Sequence, residues 1–292
     1  MSVKTYDFYN KRAYVVGDIH GHFDVIKNKI KTYKITDSVI IFAGDIGLGF
    51  EKPEHYKQIF PKINKAMKLR NVTLLFVRGN HDSKIYFENE LINYSNIKSI
   101  PDYSVVNIHQ DWDYEMKEPP KFSILCVGGG VSIDRQHRLD VEMAFVINYK
   151  FYHPNASQED IEANRKRYYW SDELPFYDVD KLDEITKEGY NIEYVVSHTA
   201  PNFCYPHDKR GIEKWMLVDE NLEKDVDYER NTMTSIYNYL INHKHILTGW
   251  YYGHFHSHYN AYYNNVSFTL LDSEHHKWDM VEIGYKPMEI TV

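Results

Sequence analysis

Short apolar runs alternate with amphipathic stretches over the first third of the chain. Ala13–Val16, Ser38–Ala43 and Val72–Val77 are continuous apolar runs that end at a glycine or an arginine-glycine pair. Runs of this length without polar alternation predict strands buried on both faces. Between them, His22–Tyr33 places Phe23, Ile26, Ile30 and Tyr33 at helical spacing, and Glu54–Leu69 repeats that pattern behind Pro53, a residue suited to a first helical turn. Lys84–Leu91 opens a third helix. Three strand-loop-helix units in succession predict a parallel sheet whose loops gather at the carboxyl ends of the strands, where open α/β sheets bind ligands.

Beyond Ile100 the pattern breaks into shorter strand-like pieces interrupted by Pro101, Pro119 and Pro120, until Ser123–Val127 forms another apolar run before Gly128-Gly129-Gly130. The stretch Leu139–Leu174 is rich in tyrosine and charge and reads as an insertion or cap, with a helix over Gln158–Tyr169. Its aromatic residues (Phe145, Tyr149, Phe151, Tyr152, Tyr168, Tyr169 and Trp170) are expected to pack internally rather than to form a binding surface. A helix over Asp178–Gly189, closed by its glycine, precedes a strand at Ile192–Val196. Asp219–Asn242 is helical in pattern, and His245–Trp250 rises into Tyr251-Tyr252-Gly253-His254-Phe255-His256. Tyr259–Tyr263, Val266–Leu271 and Met280–Ile283 read as three strands forming an antiparallel edge. Without internal repeats or low-complexity linkers, the simplest organisation is one domain over residues 1–292 with an inserted segment at about 139–174.

Composition narrows the function classes. A formal net charge of −8 over 292 residues argues against long nucleic acid or an anionic membrane as partner. No run approaches a membrane span, and Met1–Arg12 lacks the apolar core of a secretion signal, so the expected location is the cytoplasm. Cys126 and Cys204 make no disulfide framework and fit a reducing compartment as ordinary thiols.

The chemistry sits in the loops. Gly17-Asp18-Ile19-His20-Gly21 follows the first strand, Gly44-Asp45 the second, and Arg78-Gly79-Asn80-His81-Asp82 the third. Later strands deliver His198 and the alternating pair His254 and His256. Any one of these is an ordinary turn residue. Carboxylate, amide and imidazole groups delivered by five strand ends are instead a metal-ligand set, of the mixed kind that suits first-row ions better than calcium.

This set, in this order, resembles the calcineurin-like metallophosphoesterase family, whose signature reads D-x-H, GD, GNH-D/E, H and GH-x-H. The resemblance implies a mixed α/β fold of two facing mixed sheets flanked by helices. It also implies two divalent ions, manganese foremost with iron, nickel or zinc as alternatives. Asp18, His20, Asp45 and His256 would hold one, and Asp45, Asn80, His198 and His254 the other, with Asp45 bridging. The implied reaction is phosphoester hydrolysis, in which a hydroxide shared by the two metals attacks in line. His81 would act as general acid toward the leaving group, with Asp82 fixing its tautomer.

Arg78, Arg135 and Arg138 are candidates for gripping substrate phosphate, because a guanidinium can bind a phosphoryl group through two hydrogen bonds. Bacterial and phage relatives often carry a Gly-Gly-x-x-Ser-x-Asp-Arg run like the one ending at Arg135. His22, His275 and His276 are expected to have no catalytic part. The second motif reads Gly44-Asp45-Ile46-Gly47-Leu48-Gly49-Phe50, without the Asp and Arg that protein phosphatases and dinucleoside polyphosphate hydrolases of the family carry, so their specificity does not transfer. The expected function is a phosphomonoesterase acting on a phosphoprotein, nucleotide or small molecule. A phosphodiesterase or nucleotide pyrophosphatase is the alternative, and a binding scaffold without catalysis is a third reading. The sequence leaves the oligomeric state undetermined.

Overall fold

The apolar runs do become strands buried on both faces, and this dictates the layering of the molecule. The structure, a computed structural model, describes residues 2–110, 121–207, 211–273 and 279–284. Its strands are β1 (Thr5–Tyr9), β2 (Arg12–Val16), β3 (Ser38–Phe42), β4 (Val72–Phe76), β5 (Ile97–Ser99), β6 (Ser104–His109), β7 (Lys121–Val127), β8 (Ile192–Ser197), β9 (Gly249–Tyr252), β10 (Tyr259–Tyr263), β11 (Val266–Leu270) and β12 (Met280–Ile283). Its helices are α1 (Phe23–Thr32), α2 (Pro53–Lys68), α3 (Ile85–Glu88), α4 (Arg135–Tyr152), α5 (Gln158–Asn164), α6 (Val179–Lys187), α7 (Glu213–Met216) and α8 (Leu222–Asn242).

Two mixed sheets face one another. One has the order β12-β2-β3-β4-β5, the other β1-β6-β7-β8-β9-β11-β10. The neighbours β2, β3 and β4 are parallel, with Val15 opposite Ile41 and Ile41 opposite Leu75. Alternation along each strand then separates three apolar layers. Tyr14, Val16, Ile40, Phe42, Leu74 and Phe76 pack on α1 and α2 through Ile26, Ile30, Phe60 and Ile63. The opposite side chains, including Val15, Ile41, Leu75 and Val77, meet Ile108, Ile124, Cys126 and Val196 of the other sheet. That sheet's outer face, with Leu125, Val195, Trp250 and Phe268, packs on Leu182, Ile185, Met233, Ile236 and Leu240 of α6 and α8. The result is the expected mixed α/β architecture, two mixed sheets flanked by helices.

Several sequence expectations are corrected. The last three strands do not form one antiparallel edge. Only β10 and β11 pair that way, β11 runs parallel to β9, and β12 crosses to the other sheet, where it lies antiparallel to β2. The helix expected over Gln158–Tyr169 ends at Asn164, because the basic run beyond it is drawn out by acidic partners: Arg165 pairs with Glu142, Lys166 with Glu51 at 2.7 Å and Arg167 with Glu162 at 2.9 Å. Helix α4 was invisible to periodicity because its buried residue is Glu142, whereas Met143, Ile147, Phe151 and Tyr152 face outward. Phe151 and Tyr152 are thus exposed rather than packed internally, while Trp170 stacks on Phe50 with ring centroids 6.1 Å apart. Strand β1, parallel to β6, has no apolar run to announce it, because its residues alternate between exposed and half-buried. His275, His276, Pro119 and Pro120 lie outside the described residues. Cys126 and Cys204 are buried free thiols. Among the described residues, no helix is long and apolar enough to cross a membrane.

Candidate metal centre

Loops from both sheets converge at the carboxyl ends of β2, β3, β4, β8 and β9. One potential ligand atom from each of Asp18, His20, Asp45 and His256 lies within 4.8 Å of the others. His256 Nε2 is 3.1 Å from Asp18 Oδ2, and His20 Nε2 is 3.4 Å from Asp45 Oδ2. A second group assembles around the other oxygen of Asp45. His198 Nε2 lies 3.3 Å from Asp45 Oδ1 and 2.7 Å from Asn80 Oδ1, and the His254 ring stands 4.8 Å from that of His198. Asp45 therefore turns one carboxylate oxygen toward each group.

Four of these residues have left-handed backbones, which side chains other than glycine rarely adopt: His20 (φ 44°), Asp45 (φ 49°), His254 (φ 72°) and His256 (φ 43°). Such conformations persist only where the surroundings impose them, and they concentrate at functional sites. Here the loops hold one another. The Asp45 carbonyl accepts from the Ile19 and His20 N–H groups at 3.2 and 2.8 Å, and the Asp18 carboxylate accepts from His254 N–H at 3.1 Å. Gly44, at φ 101°, must lack a side chain, since a Cβ there would stand 2.2 Å from His198 Nδ1.

The polarity of the second group calls for a cation. His198 Nδ1 lies 2.8 Å from the Ala43 carbonyl, so this nitrogen donates and Nε2 points inward at two oxygens. Only a proton or a metal ion on Nε2 makes that arrangement favourable. Burial lowers the His198 pKa, but the Asp45 and Asp18 carboxylates outweigh it and raise the net value. The first group behaves alike: against burial, Asp45 and Asp18 push His20 up to about 9. Asp45 in turn, despite complete burial, is held well below the usual carboxylate range by His198, His81 and His20. His254 is pushed well down by burial and by the neighbouring His198. The donor set of both groups fits divalent cations.

His81 lines the same cleft, with Nε2 3.8 Å from Asp45 Oδ2. Burial, helped by Arg138 and His20, pushes it down to about 4, so the ring is neutral. Arg138 Nη2 lies 3.4 Å from His81 Nε2, and a guanidinium only donates, so the ring proton sits on Nδ1, which has no hydrogen-bond partner among the described residues.

Asp82 does not orient this ring. Its Oδ1 accepts from the N–H groups of Gly47 and Leu48, both at 2.8 Å, and its Oδ2 from those of Ile46 at 3.0 Å and Gly79 at 2.8 Å. The side chain ties the Asp45 loop to the Asn80 loop instead. Burial and the nearby Asp45 raise it to about 6.

The three arginines separate. Arg78 is fully buried, paired with Asp102 at 2.9 Å and donating to the Glu173 carbonyl at 2.9 Å, so it has no face for substrate. Arg135 is held by Asp219 at 2.5 Å and Asp225 at 2.7 Å, away from the cleft. Arg138 alone reaches the site, steadied by Asp134 at 2.7 Å.

The sequence profile described as calcineurin-like phosphoesterase matches residues 11–258, which span all five loops. The chain belongs to the calcineurin-like phosphoesterase family. Among solved structures it is similar to a dimetal phosphatase from Danio rerio, at 11% identity and a TM-score of 0.45, covering 90% of this chain and 87% of that one. It is also similar to phosphopantetheinyl hydrolase from Mycobacterium tuberculosis, at 14% identity and a TM-score of 0.39, with 95% and 97% covered. A third is GAP50, the anchor in the inner membrane complex of Plasmodium, at 12% identity and a TM-score of 0.44, with 90% and 71% covered. No curated protein matches significantly.

Around the centre of this calcineurin-like phosphoesterase stand two buried acids that sequence reasoning missed. Glu229 of α8, 2% exposed, accepts from Val131 N–H at 2.6 Å and Thr199 Oγ1 at 2.5 Å, and lies 4.0 Å from His254 Nε2. Glu173 accepts from both Ser132 N–H and Ser132 Oγ, at 2.9 and 2.6 Å, and Asn80 Nδ2 donates to that Oγ at 2.9 Å. Burial lifts Glu173 to about 8, against the Ser132 hydrogen bonds. Neither glutamate lies near a motif in sequence, so no local signal marks it. From this centre a cleft of about 600 Å³ runs past Arg138 to Tyr205, Trp215 and Phe255.

Proposed function

We propose that the chain is a phosphomonoesterase working with two divalent cations, manganese being a good match to its mixed carboxylate, amide and imidazole donors. One would be held by Asp18, His20, Asp45 and His256, and the other by Asp45, Asn80, His198 and His254. The observation that carries this reading is the convergence of two donor groups on the two oxygens of one buried carboxylate, Asp45. Bound there, such a pair of ions supplies a water of lowered pKa and neutralises phosphoryl oxygens.

The chain's own residues supply the rest. Arg138 presents guanidinium N–H groups at the cleft, the only arginine of the three candidates able to grip a phosphoryl oxygen. Turning to substrate, it would leave His81 Nε2 free, and the dianionic phosphate would raise the ring's affinity for a proton there. His81 would then hold that proton for the leaving oxygen.

One observation favours a diesterase or nucleotide pyrophosphatase as a second reading: the cleft continues past the centre toward Tyr205 and Trp215, leaving room for another ester arm. The scaffold reading has less support, because every candidate ligand stands in the cluster. Metal-stripped protein resupplied with manganese should hydrolyse p-nitrophenyl phosphate faster than the bis-p-nitrophenyl ester, and His81→Ala and Asp45→Asn should each abolish turnover. Preference for the diester would favour the second reading. Two bound ions without turnover of either ester would favour the scaffold.

A further inference from the structure

We propose that Glu173 fixes which way the Asn80 amide faces, acting through Ser132 as a positioning residue for the second cation. The inference rests on the two-cation reading above. Asn80 offers a ligand only through its oxygen, because an amide nitrogen has no available lone pair. Something must therefore hold the nitrogen away from the centre.

The hydrogen-bond count shows what does so. The Ser132 hydroxyl has one hydrogen, and Glu173 Oε2 lies 2.6 Å away to receive it, while Glu173 Oε1 takes the Ser132 N–H at 2.9 Å. With its hydrogen committed to a Glu173 carboxylate, Ser132 Oγ can only accept from Asn80, so the group 2.9 Å away is the amide NH2. Oδ1 is left facing His198 Nε2 at 2.7 Å. Asn80, Ser132 and Glu173 are 1%, 2% and 1% exposed, so bulk water does not compete for these bonds.

Glu173 is itself anchored by the loop it serves. Its carbonyl accepts from Arg78, two residues before Asn80, at 2.9 Å and from Gly130 N–H at 3.1 Å. This gives Arg78 a part to play without any contact with substrate. The relay has this polarity when Glu173 is ionised, the form that nearby dications favour.

Glu173→Gln keeps the shape and reverses the relay. Its Oε1 still receives the Ser132 N–H, but its NH2 now donates to Ser132 Oγ, which frees the hydroxyl hydrogen to seek the amide oxygen of Asn80. The readout is stepwise manganese binding to the full-length chain by equilibrium dialysis, with near-UV circular dichroism as the check on fold. The expected result is a second manganese bound about 10- to 100-fold more weakly, the range found when groups that orient ligands are lost, with the first step unchanged. Ser132→Ala should weaken the same step, and the double variant should be no worse than Ser132→Ala alone, because both changes act on one relay. Both steps matching the parent in Glu173→Gln, or both falling alike, would overturn the inference. Should Glu173→Gln not fold, a normal second step in Ser132→Ala would overturn it as well. A parent chain that never binds two ions would overturn the two-cation reading and this inference together.

Discussion

Gly79→Ala tests whether Asp45 is the shared element of the centre. Gly79 lies outside the left-handed region that only glycine adopts easily, so an added methyl group acts chiefly through space. A Cβ there would stand 2.0 Å from Asp45 Oδ1 and 2.2 Å from the Asp45 backbone nitrogen. Van der Waals contact lies more than about 1 Å farther out, so the Asp45 side chain and loop must both retreat. Overpacking of this kind typically costs about 1–3 kcal/mol. If the displacement falls on the ligand, this corresponds to a loss of about 5- to 150-fold in affinity. Because Asp45 faces both donor groups, both manganese steps should weaken in equilibrium dialysis. Gly189→Ala is the control: that glycine has φ 80° and, among the described residues, nothing within 4 Å of its Cβ position, so the substitution strains the backbone away from the centre and should leave both steps intact. If Gly79→Ala bound two ions as tightly as the parent, Asp45 would not be where both are held.

Other consequences can be measured separately. Chelation should abolish turnover and manganese should restore it; manganese at 100 times its dissociation constant should add about 2.7 kcal/mol to the unfolding free energy. Arg138→Ala should raise KM for a phosphomonoester about tenfold while leaving metal stoichiometry unchanged, since losing a charged hydrogen bond costs about 1.5 kcal/mol or more. Arg78→Ala, which strips the partner from a buried ion pair, should instead destabilise the fold by about 3–5 kcal/mol in urea unfolding. In the metal-free chain, Glu173 keeps its proton up to about pH 8, whereas the unfolded chain loses it near pH 4.5. Its stabilising contribution is therefore full below pH 4.5 and fades as pH rises through 8, by an amount on the order of a few kcal/mol. Glu173→Gln should remove this slope from denaturation curves taken between pH 5 and 8.

What could be read from the sequence is what burial and loop chemistry write locally. Val15, Ile41 and Leu75 lie in apolar runs because their strands are covered on both faces, and each run ends at a loop whose glycines let ligands converge. Strand order at the edges is not local: nothing within Met280–Ile283 says that it crosses to pair with β2 rather than β11. Helix α4 escaped because its outward face is as apolar as a core. The site residues divide along the same line. Asp82 has the spacing of a partner for His81, yet four N–H groups from two loops outbid one neighbouring ring for its oxygens, and backbone donors have no sequence signature. Arg78 and Arg135 look free in a sequence because their carboxylates, Asp102, Asp219 and Asp225, come from distant segments. Glu173 is the converse case, a single acid in a charged stretch, 41 residues from the serine it bonds. Ligands recur in motifs because they must meet one point in space, but the groups that aim them need only reach a ligand from behind, and any segment of the fold that passes there can supply one.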